Sequence, residues 1–216
     1  MDRQIEDPFE AARLILTLRQ AGITEPGLLR AIETVPRAMF IEEAFSNLTY
    51  EDCVLPLACG QTLEQPSVVA DKVQMLKLGT NADKRVLLVG VGSGYTAALL
   101  SELAASVAGV ERYRRLTERA RYNLKLAGID SVVLMQGDGL EGWREQGPYD
   151  RILLTGSVES VPDVLLGQLA KRGFCVAPIE KDGRFELISI NADRSELHTQ
   201  PCGFHLPLIS GVSKTL

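Results

Sequence analysis

Histidine is nearly absent from this chain, with two in 216 residues, and the four cysteines form no CxxC pair. Cys53, Cys59, Cys175 and Cys202 have no histidine at ligand spacing, which leaves no basis for a zinc site or a redox dithiol. An excess of positive charge is also lacking: 28 acidic residues outnumber 23 Lys and Arg, for a formal net charge of -5. Such a surface has no general attraction to a phosphate backbone, so nucleic acid is not the expected partner. The one basic run, Arg112, Arg114, Arg115, Arg119 and Arg121, is interleaved with Glu111 and Glu118 and reads as the solvated face of a helix. No uncharged apolar run is long enough to cross a bilayer, and the opening MDRQIEDPFE carries charges where a signal peptide needs an apolar stretch. A soluble cytoplasmic protein with reduced thiols is expected, without membrane attachment. His198 and His205 sit in a strand-like C-terminal region with no Ser/Asp constellation around them, and a structural role is expected for both.

What the chain does have is room for one substantial core with additions. Residues 1–216 are read as a single domain, with N-terminal helices and a loop in 1–80 and a nucleotide-binding core in 81–216. Helical periodicity over 8–20 places Phe9, Ala12 and Leu16 on one face with Leu14 and Leu18 beside them; a second helix runs over 25–35 to Pro36. Residues 45–66 lack periodicity and are long enough for a functional cover. A helix follows from Ser67 to Leu76. Beyond Val86, strands and helices alternate at 86–89, 94–104, 107–111, 112–127, 131–136, 150–154 and 162–170, which implies a doubly wound parallel sheet. Strand-like runs at 173–179, 184–191 and 196–206 are joined by turns too short for crossover helices, so antiparallel pairing in a terminal hairpin is expected.

The strand VLLV opens into Gly90-Val91-Gly92-Ser93-Gly94 and then a helix-forming stretch. Such a turn lets the backbone approach a nucleotide closely, though it also occurs as a plain structural turn. Tyr95 stands where a dinucleotide site would have its third glycine, which favours a nucleoside ligand without a diphosphate; S-adenosylmethionine is the common one. Glu111 ends the next strand about 20 residues beyond Gly90, where a doubly wound sheet places the acid that binds ribose hydroxyls. Its other reading is a solvated acid in the first turn of a helix. Asp138, in Gly137-Asp138-Gly139 at the end of a third strand, is placed to accept from an adenine amino group, although this is also an ordinary turn sequence. The alternation resembles the class I S-adenosylmethionine-dependent methyltransferase fold, an α/β Rossmann-like sheet.

More specific motifs lie upstream. Val35-Pro36-Arg37-Ala38-Met39-Phe40, Tyr50-Glu51-Asp52, Leu55-Pro56 and Gly60-Gln61-Thr62-Leu63-Glu64-Gln65-Pro66 resemble the protein-L-isoaspartate (D-aspartate) O-methyltransferase family. So do VGSGY, Val110-Glu111-Arg112, Gly137-Asp138-Gly139 and Leu206-Pro207-Leu208, a match over about residues 28–210. The resemblance implies methyl transfer from S-adenosylmethionine, leaving S-adenosylhomocysteine, to the α-carboxylate of isoaspartyl residues in damaged proteins. It implies cofactor contacts at Gly90, Val91, Gly92, Ser93, Glu111, Arg112, Asp138 and Gly139, acceptor contacts at Thr62, Leu63, Glu64 and Thr155, and a loop 58–66 that closes over the acceptor. A monomer or weak dimer is expected.

Two positions depart from the family pattern. Glu64 stands where the family has a serine, the position expected to be catalytic. A carboxylate there, 4 Å from an acceptor carboxylate at an effective dielectric near 20, would cost roughly 4 kcal/mol unless protonated. Leu88 replaces an acid usually found two positions before the first glycine, at a cost to cofactor affinity of ~1–3 kcal/mol. Two other readings therefore stand beside repair methylation: a methyltransferase of this fold using Glu64 towards a neutral or cationic acceptor, and a cofactor-binding protein that does not catalyse.

Overall fold

In a computed structural model, described for residues 8–80 and 82–213, three helices stand ahead of a seven-stranded sheet. The charged opening segment and the last three residues, which the expected domain bounds include, lie outside the described part. Helices α1 (Pro8–Gln20), α2 (Pro26–Thr34) and α3 (Pro66–Met75) form the N-terminal layer. In α2 and α3, proline stands in the first turn, where its missing N–H would have had no partner. Helix α1 is rotated from the expected orientation. Leu14 and Leu18 are buried, whereas Phe9 and Leu16 are exposed, so the i, i+4 leucine pair forms the inward stripe.

Between α2 and α3 the aperiodic segment forms 3-10 turns at Arg37–Phe40 and Glu43–Leu48, then a small antiparallel hairpin of β1 (Leu55–Pro56) and β2 (Thr62–Leu63). The main sheet comprises β3 (Arg85–Val89), β4 (Ser106–Glu111), β5 (Val132–Gln136), β6 (Tyr149–Leu154), β7 (Leu169–Lys181), β8 (Arg184–Asn191) and β9 (Glu196–Pro201). Helices α4 (Tyr95–Ser101), α5 (Arg114–Leu126) and α6 (Asp163–Leu166) connect its first strands. The strand order is β5-β4-β3-β6-β7-β8-β9, parallel through β7 and antiparallel thereafter. The expected hairpin is thus a three-stranded meander.

Two expected elements are shorter. The helix expected over 162–170 is one turn, because Gly167 follows Leu166 and Leu169 already pairs with Tyr149 on β6. The last strand stops at Pro201, and residues beyond it turn towards the sheet's carboxyl edge, where Leu208 N–H donates to Ser157 O at 2.8 Å. Strand β3 is buried on both faces. Val86 and Leu88 enter the core shared with the N-terminal helices and α4, while Leu87 and Val89 enter the opposite core with Ile152, Leu165 and Cys175. Each such side chain contributes roughly 1.5–3 kcal/mol by leaving water, so the central strand is the rigid base of whatever its end presents. Strand order reverses at β3, between β4 and β6, and there a crevice opens at the carboxyl ends.

Candidate active site

Gly90 ends β3 with φ +86°, and a Cβ on it would fall 2.2 Å from Thr155 Oγ1. That hydroxyl lies 3.0 Å from Gly90 O and 3.1 Å from Val89 O, bracing the turn from the end of β6. Gly92, with φ +58°, directs its N–H to Glu111 Oε2 at 2.9 Å, and Tyr113 N–H donates to Oε1 at 3.0 Å. Two backbone donors thus fix a carboxylate that is only 4 % exposed. Each oxygen keeps a further lone pair, so Glu111 can still accept from a pair of hydroxyl groups. Tyr95 is buried against Phe40, with ring centroids 5.8 Å apart, and the Arg37 guanidinium carbon lies 4.5 Å from the centre of its ring. The bulky residue at the third-glycine position therefore locks α4 to the N-terminal segment.

These groups border one cavity. It is lined by Gln61–Glu64, the turn Gly90–Gly92, Glu111–Tyr113, Gly139, Leu140, Thr155 and Gly156, with Leu206–Ile209 across it. Its free volume is about 120 Å³, below the ~300–1,000 Å³ usual for ligand sites. Ten of the positions singled out from sequence line it: Thr62, Leu63, Glu64, Gly90, Val91, Gly92, Glu111, Arg112, Gly139 and Thr155.

Ser93 and Asp138 stand elsewhere. The left-handed glycines on either side of Ser93 turn it towards α5, where its carbonyl accepts from Asn123 Nδ2 at 2.9 Å, and it borders a separate cavity of about 450 Å³ beside Phe40 and Arg119. Asp138 Oδ1 accepts from Leu140 N–H at 2.9 Å, capping the 3-10 turn Gly139–Glu141, and Oδ2 accepts from Gly211 N–H. The carboxylate expected to meet adenine thus holds the C-terminal segment. Arg112 shares that task, with Nη1 donating to Ile209 O at 3.3 Å and its carbonyl accepting from Ser213 N–H. Leu88 is fully buried in the apolar core and does not line the cavity.

At the far end the residue that sequence reasoning missed is Lys72. It lies on α3 among Val69, Ala70 and Val73, where a lysine reads as one polar interruption of an apolar face. Its side chain is 2 % exposed, and Nζ donates to Glu64 Oε1 at 2.6 Å and to Thr155 O. Burial pulls the Lys72 ammonium below its usual range and Glu64 opposes this. Nζ has two oxygen acceptors here, one of them a carboxylate. The uncompensated repulsion expected of Glu64 is therefore corrected, because this carboxylate carries its own counter-ion.

His205, for which a structural role is expected, is buried with Nε2 3.5 Å from the same Glu64 oxygen. Its Nδ1 lies 2.8 Å from Gly203 O, which assigns the proton to Nδ1 and leaves Nε2 without a hydrogen-bond partner. Burial and then Lys72 hold the imidazole below its ordinary pKa, against the pull of Glu64. The cue in the sequence was Leu206-Pro207-Leu208, which carries its neighbour His205 to the site.

A parallel sheet with a glycine turn at its switch point, an acid ending the adjacent strand and an antiparallel close defines a class I methyltransferase-type domain. The chain belongs to the protein-L-isoaspartate (D-aspartate) O-methyltransferase family, whose model matches residues 10–209. Over 216 residues it is 39% identical to the protein-L-isoaspartate O-methyltransferase of Maricaulis maris, covering 99% of this chain and 100% of the relative. With that of Azorhizobium caulinodans identity is 41% over 213 residues, 96% of each chain. A solved structure of a protein-L-isoaspartate O-methyltransferase superposes with TM-score 0.76 at 28% identity, covering 91% of this chain and 67% of that one. A Plasmodium falciparum structure assigned to the same enzyme, in complex with S-adenosyl-L-homocysteine, has TM-score 0.79 at 22% identity and covers 91% and 97% of the two chains.

Proposed function

We propose that this chain is an S-adenosylmethionine-dependent methyltransferase acting on the α-carboxyl group of L-isoaspartyl residues, and so a protein-repair enzyme. The observation that carries this reading is convergence: the 61–64 segment, the glycine turn and Glu111 border one cavity in a chain of this family. The donor set fits the cofactor. Glu111 offers lone pairs for ribose hydroxyls, Gly90, Val91 and Gly92 leave backbone room for the methionine portion, Arg112 and Gly139 flank the nucleoside end, and Asp138 keeps lone pairs for adenine beyond those that hold Leu140 and Gly211. Ser93 contributes through the backbone turn.

S-adenosylmethionine, when bound, supplies a methyl carbon on a sulfonium sulfur. An ionised acceptor carboxylate is already a nucleophile, and the bound cofactor would supply the methyl carbon to its oxygen with the electron pair of the broken carbon–sulfur bond left on sulfur. The protein therefore has little proton transfer to perform. Thr62, Leu63, Glu64 and Thr155 position the acceptor oxygen, and the cover formed by 58–66 with 206–209 excludes water; alignment of this kind contributes ~7–11 kcal/mol. The methyl ester then closes to a succinimide as the adjacent backbone amide nitrogen displaces methanol, and water reopens the ring in part as normal aspartate.

The whole chain acts as a single methyltransferase domain, with 1–80 supplying helices and the acceptor loop and 81–216 the cofactor core. A monomer or weak dimer suffices, because all the groups named come from one chain. The setting is cytoplasmic, and among the described residues no helix is long and apolar enough to cross a membrane. The deciding experiment measures methyl transfer to an isoaspartyl peptide and to its aspartyl counterpart. Ester formed only on the former is expected; cofactor binding without ester on either peptide would overturn the reading.

A further inference from the structure

Glu64 lines the cavity, whereas Lys72 stands behind it, 2 % exposed, with Nζ 2.6 Å from Glu64 Oε1. A carboxylate can share a site with a second carboxylate only if it is protonated or brings a cation. Lys72 brings the cation from a position that substrate does not reach, so the pair offers the cavity no net charge. Its second bond, to Thr155 O, ties the acceptor end to the residue that braces Gly90.

We propose that Lys72 is a specificity-determining residue: as the buried counter-ion of Glu64 it makes the acceptor end neutral, and thereby admits an anionic carboxylate acceptor. This rests on the functional reading above. A pair serving stability alone would leave acceptor affinity untouched when broken, and that separates the two roles. The charged and titratable groups around the pair are Asp71 on α3 and Cys202 and His205 beyond β9, with Glu186 on β8 facing Cys202.

The test compares wild type, K72M, E64Q and K72M/E64Q for methyl transfer to an isoaspartyl peptide, with S-adenosylhomocysteine affinity measured by calorimetry. In K72M the peptide KM at pH 7.5 should rise about tenfold or more, through Coulomb repulsion from an unopposed Glu64. Cofactor affinity should hold. K72M/E64Q should recover most of the lost acceptor affinity. Should K72M not fold, E64Q carries the comparison: an unopposed Lys72 should lower the peptide KM, and a KM unchanged or raised would overturn the inference. An unchanged KM in folded K72M, or a double variant as poor as the single, would also overturn it while leaving wild-type repair activity standing. Wild type that binds S-adenosylhomocysteine but methylates no isoaspartyl peptide would remove the functional reading and this inference together.

Discussion

The two ends of the cavity are built in opposite ways. The cofactor end is mainly backbone: Gly90 and Gly92 hold positive φ, and two backbone N–H groups fix Glu111. The end proposed for the acceptor is side chains from distant segments: Lys72 from α3 and His205 from the C-terminal stretch both approach Oε1 of Glu64, which directly follows β2. Backbone sites tolerate little change in shape but need few particular side chains. Side-chain sites depend on charge balance and can be altered in pairs.

The largest effect should come from shape at the cofactor end. Gly90→Val would place Cβ against Thr155 Oγ1 and force a branched residue to φ +86°. Such a backbone conformation costs ~1–3 kcal/mol before the clash is counted. Calorimetry should find S-adenosylhomocysteine binding lost, with a lowered thermal midpoint; retained affinity would mean the turn is not the rigid element described. Pairing Gly90→Ala with Thr155→Ala should remove the clash and leave the φ strain, giving a partial loss.

Next is charge at the same end. Glu111→Ala removes a charge-assisted acceptor and should weaken S-adenosylhomocysteine by ~1–3 kcal/mol, roughly 10- to 100-fold. The peptide KM at saturating cofactor should not follow. A shared rise in both would show that the two ends are not separable.

A smaller effect is expected from Asp138→Ala. It frees Gly211 N–H, a hold on the C-terminal segment that crosses the site. One neutralised hydrogen-bonded carboxylate corresponds to ~1–2 kcal/mol. Stopped-flow should show faster cofactor exchange together with weaker discrimination between adenine and other bases; slower release would contradict a covering role for residues 209–213.

The smallest effect concerns pH. His205 has its imidazole held below the ordinary value of 6.5, chiefly by burial. The unfolded chain therefore binds more protons than the folded one as pH falls through that value, and folding stability is lost towards acid and retained above it. Denaturation midpoints measured from pH 8 to pH 5 should decline on the acid side, less steeply in His205→Asn. Equal slopes would assign the decline to other groups.

Much of the cofactor end was legible because its signals are local. A glycine turn follows its strand within five residues, and an acid at the end of the neighbouring strand lies at a spacing set by one crossover helix. The 60–66 segment was legible for the same reason. Ser93 and Asp138 do not line this cavity in the structure, where neighbouring backbone N–H groups and the Asn123 amide hold them. Helix α1 was turned the wrong way because both leucine stripes satisfy the period, and only packing against α2 and α3 selects Leu14 and Leu18.

By itself the sequence determined the alternating α/β fold, the glycine turn after its central strand, the family and the position of Glu64, all of which follow from period, glycine stereochemistry and contiguous motifs. Only the tertiary structure decided what Glu64 is electrically. A lysine eight residues away on an apolar helix face reads as a misplaced charge until α3 packs beside the end of β6 and the chain returns through His205. Charge balance in a buried site depends on distances of a few ångströms between segments, and spacing along the chain does not contain those distances.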